Sequence, residues 1–410
     1  MENFEFIKKY DEGVYNEIIK AEEKAKTEPT LAAFQTRKAL EALVKYICTQ
    51  QKINVIGSNI KEAPSLDNYI FSIKNKKIFE YKTCDKIYKI KDRGNKVTHY
   101  QENRPDLVSE DEIELLSYLH EIICEYLKKY KSVYIRQKFN KDHIHIGKLE
   151  VVNVLSNKDT IAEKEFICID SKNNKMNYCI VRQFRKNKDN SSEVIIRDDI
   201  VLNEGMSNDM ENIVKLRNIE TAESNDLRFV GYYIDKNYQT LADLKVETMN
   251  FHERINIIKQ IANGLYHLHN NNPQIVHRRL TNDAIFITDK GNSKYVKIGK
   301  FEFSKVFEDR GTVSIDLKKN LKNLTEIDSI APEIVNGEDS KNITSAADIY
   351  SLGVFLYRII GADETKLKEL DKLEKFNVSK EDISILEKTV SRIPSERPNI
   401  SDVLEILNRL

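Results

Sequence analysis

The hydrophobic period of this chain changes at about residue 130, and that change restricts the fold more than any other feature. Before it, apolar residues recur at helical spacing. In "LAAFQTRKALEALVKYI", Leu31, Phe34, Leu40, Leu43, Val44 and Ile47 keep that spacing after Pro29-Thr30. "SEDEIELLSYLHEIICEYLKKY" starts at Ser109 with Glu112 three residues on, a capping-box pattern, and closes on Lys128-Lys129. "DEGVYNEIIKAEEKAK" and "SLDNYIFSIKNKK" add shorter helices. Past a basic linker near Lys131–Lys141 the runs become short, alternating and β-branched: "HIHIGKLEVVNVL", "KEFICID" and "NYCIVRQF". From Phe251 helices return in "RINIIKQIANGLYHLHNN", "AADIYSLGVFLYRII" and "ISDVLEILNRL". The pattern predicts a multidomain α+β chain, an all-α bundle followed by a small antiparallel sheet and more helices. The boundary falls between Tyr130 and Gly147.

With 410 residues there is room for two or three domains. The 65 basic and 65 acidic residues cancel, which excludes a global polyelectrolyte role. Cys48, Cys84, Cys124, Cys168 and Cys179 are odd in number, scattered and without a C-x-x-C pair, which argues against a disulfide framework or zinc knuckle. "MENFEFIKKYDEG" has no basic-then-apolar signal, and "YSLGVFLYRIIG" is too short to span a bilayer and contains Arg358. A cytoplasmic protein with no membrane partner is expected. His143 and His145 fall on one side of an alternating strand pattern, but no carboxylate or Cys ligand set accompanies them; no metal and no cofactor is expected.

From about residue 146 to 410 six landmarks follow in order. They are short strands, a hinge near "FVGYYIDKNYQTLADL", "IVHRRL", "VKIGKFEFSK", "IAPEIV" with "DIYSLGV", and "SERPNI". This order resembles a protein kinase domain over its whole length, and implies a bilobal fold over 147–410, with an N-lobe about 147–236 and a C-lobe about 237–410. The structural residues of that pattern are present: His277, Arg278, Glu333 of Ala331-Pro332-Glu333, Asp348, Gly353, and Arg397 where kinases keep the partner of that Glu. The chemical ones are absent. Arg279 stands at the base position, Ala284 at the second-metal Asn, Lys300-Phe301-Glu302 at D-F-G and Arg182 at the strand Lys; "VLSNKDTIAEKEF" lacks the phosphate-loop glycines. Asp209 and Glu211 compete for the helix-C Glu position, so no ion pair is assigned there. Phosphoryl transfer works by positioning and charge neutralisation through magnesium, and cations in place of carboxylates repel that ion. A catalytically dead, pseudokinase domain is expected. Either its cleft is a disused scaffold, or Arg182, Arg279 and Lys300 converge to bind an anion such as a nucleotide.

The N-terminal region, 1–132, carries "KIKDRGNKVTHYQENRPD". Arg93 and His99 are separated by five residues, with Asn95 between them, late in a helical region. The arrangement resembles the HEPN superfamily, in particular HEPN-like domains attached to bacterial restriction and phage-defence proteins. The resemblance implies RNA cleavage without metal, as a homodimer. His99 can act as base or acid, Arg93 can stabilise the phosphorane, and Asn95 can orient either. Between Phe71 and Val97 stand nine basic and three acidic residues, with Tyr81 and Tyr88 inside that stretch and Tyr100 beyond it, a surface suited to RNA. The plainer readings stay open: a solvated lysine-rich face, Arg93-Gly94-Asn95 as a helix-ending cap, and His99 as a structural histidine.

Two functions follow. In the first, the HEPN-like region cleaves RNA under the control of the pseudokinase, in phage defence, with a phage or host trigger protein or a nucleotide at the cleft; residues 133–146 are the linker. In the second, both regions are non-catalytic, one dimerising or binding nucleic acid and the other binding a ligand.

Overall fold

The computed structural model describes residues 3–57, 63–98, 108–155, 162–172, 175–185, 210–217, 227–291, 293–301, 303–306, 328–338, 342–360, 367–376 and 378–410. They form two compact units, Met1–Asn157 with Ala162–Asn190 and Ile219–Phe229, and Lys158–Ile161 with Ser191–Asn218 and Val230–Leu410. The first unit therefore extends past the sequence divisions at 132 and 146.

Its helices are α1 (Glu5–Lys8), α2 (Glu12–Ala25), α3 (Pro29–Gln50), α4 (Leu66–Asn75), α5 (Tyr81–Thr98) and α6 (Ser109–Lys131). Asp11 caps α2 through Val14 N at 2.8 Å, Pro29 opens α3, and Ser65 with Asn68 forms a capping box at α4. Leu40, Leu43, Val44 and Ile47 from α3 are buried against Leu116, Leu119, Ile122 and Ile123 from α6 and Ile87 and Ile90 from α5. Each such side chain contributes about 1.5–3 kcal/mol by leaving water. Leu31 is exposed, however, and Phe34 packs in a separate small cluster with Ala33 and Val97.

The capping box expected at Ser109 is not formed. Val108 is the N-cap and makes no side-chain bond; Ser109 Oγ donates to Lys26 O at 3.3 Å instead, and Glu112 is buried. The strand pattern around His143 also gives way, because Asn140 caps a 3₁₀ turn, Lys141–His143, before the first strand. The segment expected as a linker packs on the helices: Phe139 lies edge-on to Phe4 at 6.0 Å, Asn140 exchanges hydrogen bonds with Asn3, and Ile144 joins the bundle core.

Strands β1 (Glu150–Leu155), β2 (Lys164–Lys172) and β3 (Lys175–Arg185) form an antiparallel meander, with Cys168 opposite Val151 and Cys179, and Arg182 opposite Glu165. Val151, Phe166, Cys168, Cys179 and Val181 build a second core with Leu227 and Phe229. The Lys26 ammonium lies 4.3 Å over the Phe166 ring, joining α2 to the sheet. Burial there lowers the Lys26 pKa to about 8.

In the second unit, β4 (Leu216–Arg217) pairs with β5 (Leu227–Ile234), a strand that begins in the first unit. Strand β6 (Tyr238–Thr240) and helix α7 (Phe251–His269), capped by Asn250 and Glu253, come next. Then β7 (Ile275–Val276), β8 (Ile285–Lys290), β9 (Ser293–Ile298) and β10 (Lys305–Val306) precede α8 (Pro332–Val335), α9 (Ala346–Ile360), α10 (Lys380–Lys388) and α11 (Ile400–Arg409). Strands β6-β8-β9 form one sheet and β10-β7 another. Helix α7 packs against α9 and α11, burying Ile257, Ile258, Ile261 and Leu265. No helix among the described residues is long and apolar enough to cross a membrane.

Candidate functional site

Between β7 and β8 the chain turns through His277-Arg278-Arg279, and Asp348 of α9 fixes that turn. Its carboxylate accepts from His277 N and Arg278 N, each at 2.8 Å, and is bonded to His269 Nε2 at 2.9 Å. These bonds hold Arg278 at φ +67°, a left-handed conformation costing about 1–2 kcal/mol for a side-chain-bearing residue. Burial pushes the Asp348 carboxyl up, but the His269 hydrogen bond and the His269 and His277 charges outweigh it and leave it below the ordinary carboxylate value. His277 Nε2 donates to Gly299 O at 2.8 Å and its ring lies 5.0 Å from that of Phe301.

Elsewhere in this unit Arg397 grips Glu333 in a fork, at 2.6 and 2.8 Å, and also reaches Ala346 O and Ser391 O. Gly353 serves close packing, since a Cβ there would lie 2.3 Å from Thr389 Oγ1.

The structure brings two of the three expected cleft cations together, and they share a carboxylate. Lys300, at φ +60°, donates to Asp283 Oδ2, and Arg279 Nη2 lies 3.8 Å from the same oxygen. Thr281 Oγ1 donates to Asp283 Oδ1, and the Arg279 guanidinium sits 5.6 Å from the Phe303 ring centroid. Arg279 and Lys300 are buried. Among the described residues these two cations share the one carboxylate, which is thereby engaged. This donor set does not fit magnesium. Among the described residues no cluster of three or more His, Cys, Asp or Glu can hold a metal.

The third cation, Arg182, belongs to the first unit and is fully buried. Its Nε donates to Glu165 Oε1 at 2.7 Å across β2 and β3, and its guanidinium lies 5.2 Å from the Phe184 ring centroid. The linear sequence does not mark Asp283 and Glu165 as the partners of these cations. The strand register identifies Glu165, whereas only the folded turn brings Asp283 to Lys300. Asp209, Glu302 and residues 156–161 of the "VLSNKDTIAEKEF" stretch lie outside the described residues; Glu211 lies within them and is exposed.

In the bundle, Arg93 sits on α5 with its Nη2 2.7 Å from Asp111 Oδ2, at the start of α6. Helix α5 continues to Thr98, so Arg93-Gly94-Asn95 is not a helix-ending cap. Asn95, two residues on, faces another side of the helix. His99 and Tyr100 lie outside the described residues.

Beside Arg93 the three helices meet closely. A Cβ on Gly94 would lie 2.4 Å from Arg37 Cβ, so only glycine lets the Arg37 stem cross α5. Thr36 Oγ1 donates to Glu112 Oε1. Burial raises the Glu112 pKa to about 8, against the Thr36 bond and the Arg93 charge. The basic stretch is partly neutralised by Lys86–Glu121, Lys89–Asp85 and Lys91–Asp67 pairs; Tyr88 is half-buried under Lys74 and Lys91, and Tyr81 is exposed.

The family description "Protein kinase domain" matches residues 164–407. The chain is 29% identical over 219 residues to "Serine/threonine-protein kinase PSK2" of Saccharomyces cerevisiae, covering 48% of this chain and 17% of that one. It is 37% identical over 102 residues to "Probable serine/threonine-protein kinase WNK6" of Oryza sativa subsp. japonica, covering 25% and 20%. With "Interferon-induced, double-stranded RNA-activated protein kinase" of Mus musculus it shares 25% identity over 161 residues, covering 37% and 28%. The chain thus spans less than a third of the length of each of these relatives.

Proposed function

The chain belongs to the protein kinase family, and we propose that its kinase domain is a pseudokinase controlling a HEPN-like helical region that cleaves RNA as a homodimer. The observation that carries the first part is the cluster of Arg279, Lys300 and Asp283. Where the family places a base and a metal ligand, two cations are tied to one carboxylate. Such a site neither neutralises phosphates through magnesium nor takes a proton from a substrate hydroxyl.

The cleavage reading rests on the resemblance around Arg93, Asn95 and His99. In it the RNA 2′-hydroxyl attacks the adjacent phosphorus, the 5′-oxygen leaves, and a 2′,3′-cyclic phosphate remains. His99 carries a proton to or from these oxygens, and the second copy of the chain supplies the other histidine. Arg93 stabilises the phosphorane after exchanging Asp111 for phosphate. The setting proposed is phage defence, with a phage or host trigger protein, or a nucleotide, acting on the pseudokinase. The Arg93–Asp111 pair also favours a second reading, a non-catalytic scaffold in which that arginine only braces α5 against α6.

One assay series separates these readings. The full chain, Arg93→Ala and His99→Ala are incubated with total tRNA without metal, and the wild type with labelled ATP and magnesium. Cyclic-phosphate ends lost in both variants, with no label transfer, is the expected result. Absence of cleavage in the wild type selects the scaffold. Label transfer abolished by Lys300→Ala sinks the pseudokinase assignment.

A further inference from the structure

We propose that Arg37 of α3 is a second phosphate-binding arginine of the site that contains Arg93. This rests on the RNA reading above and extends it to a residue outside the Arg93–His99 motif.

The argument begins with Gly94. A glycine inside a helix costs about 0.5–1 kcal/mol relative to alanine, so its presence in mid-α5 calls for a compensating contact. That contact is Arg37, whose Cβ and Cδ would lie 2.4 and 2.8 Å from a Cβ at position 94. Arg37 is thus laid across the backbone next to Arg93. On one side of it Thr36 bonds Glu112; on α6 Asp111 pairs with Arg93. Residues 36–37, 93–94 and 111–112 therefore share one end of the bundle.

Among the described residues Arg37 is left without a charge partner at this end. Asp111 is shared with Arg93, while among the described residues no carboxylate pairs with Arg37, and its Nε is buried without a hydrogen-bond partner. Glu112 is completely buried and its Oε2 also lacks a partner. Glu112 does not supply the missing anion, because burial keeps it protonated at neutral pH. The Arg93 guanidinium is paired with Asp111, while Arg37, whose stem crosses α5 at Gly94, has no carboxylate partner among the described residues and keeps an unused donor. A phosphodiester brings one negative charge and acceptor oxygens that match a guanidinium fork. With phosphate present, Arg37 holds one non-bridging oxygen and Arg93 is free to serve the other.

The test is binding of a fluorescent single-stranded RNA, 2′-O-methylated throughout so that it cannot be cleaved, to the full chain over a range of salt. Arg37→Gln is expected to weaken binding about tenfold or more, the value of a charge-assisted hydrogen bond. It should also make the slope of log affinity against log salt shallower by about 0.7, one phosphate contact on a single strand. Arg37→Lys keeps the charge and the stem over Gly94, so the slope is retained while affinity falls severalfold; it decides the matter if Arg37→Gln does not fold. A purely structural Arg37 would lower thermal stability in Arg37→Gln and leave the slope unchanged. Wild type that binds and cleaves RNA, with the variants binding equally well at an unchanged slope, overturns this inference and leaves the RNA reading standing. Wild type that does not bind the oligonucleotide overturns both.

Discussion

Asp348 in the second unit and Glu112 in the first are both completely buried carboxylic acids, yet they end in opposite charge states. Asp348 receives two backbone N–H groups and a histidine, and its pKa falls below the ordinary value. Glu112 receives one hydroxyl, and its pKa rises to about 8. Burial pushes both upward; the number and charge of the donors decides the outcome. Asp348 has its charge answered within the fold, as Glu333 has by Arg397. Glu112 sits where a hydrogen-bond acceptor and a guanidinium have been left over. The first arrangement holds a backbone turn in place. The second leaves Glu112 Oε2 and Arg37 Nε without a hydrogen-bond partner among the described residues.

The sharpest way to break this contrast is to remove an answered charge. In Glu333→Ala the Arg397 guanidinium remains buried without its carboxylate, and breaking such a pair costs about 3–5 kcal/mol. The expected result is a large fall in the unfolding midpoint of the full chain in urea. A loss under about 1 kcal/mol would place the pair among weak surface bridges and end the comparison.

Glu112 gives an effect of the opposite sign. Its folded pKa lies above the 4.5 of an ordinary Glu, so between those values the folded chain holds a proton that the unfolded chain releases. Folding stability therefore falls as pH rises from about 4.5 to about 8 and is flat above that. At pH 7 the accumulated cost is roughly 3 kcal/mol, at about 1.4 kcal/mol per unit of pH. Glu112→Gln keeps an acceptor for Thr36 and carries no ionisable proton. It should be more stable than wild type at pH 7, with the gap closing toward pH 4.5. Urea midpoints of the two proteins between pH 4.5 and 9 check this, and a constant gap would show that Glu112 does not titrate with folding.

The contrast also explains what was legible in the sequence. Helix spacing, the order of the kinase landmarks and the places of Glu333 and Arg397 are readable because each is set by local period or by a backbone need that few residue types meet. Partner choice is less readable. Glu112 has the spacing of a capping residue, but Thr36, far away in the chain, takes its carboxyl and the cap is lost. Asp283 stands one residue before Ala284, the place of the metal-binding Asn in the kinase pattern, and only the turn that puts Lys300 at positive φ brings Asp283 and Lys300 together. Arg37 is one polar residue on an amphipathic helix; its sole sequence signal is a glycine 57 positions later that a helix would otherwise avoid.

The smallest stability effect expected is at Arg93, and it tests the contrast from the open side. Its pair with Asp111 is 31% and 42% exposed, so solvent screens it and the bond contributes about 0–1 kcal/mol. Arg93→Gln should therefore unfold within about 1 kcal/mol of wild type. If the site is built for phosphate, the same substitution removes RNA cleavage, because the guanidinium matters once charge develops on the phosphorane. A residue whose loss spares the fold and abolishes the reaction belongs to the open kind of charge. One whose loss destabilises the bundle by several kcal/mol and takes activity with it belongs with Arg397, and the two regions would then differ in degree of exposure, not in purpose.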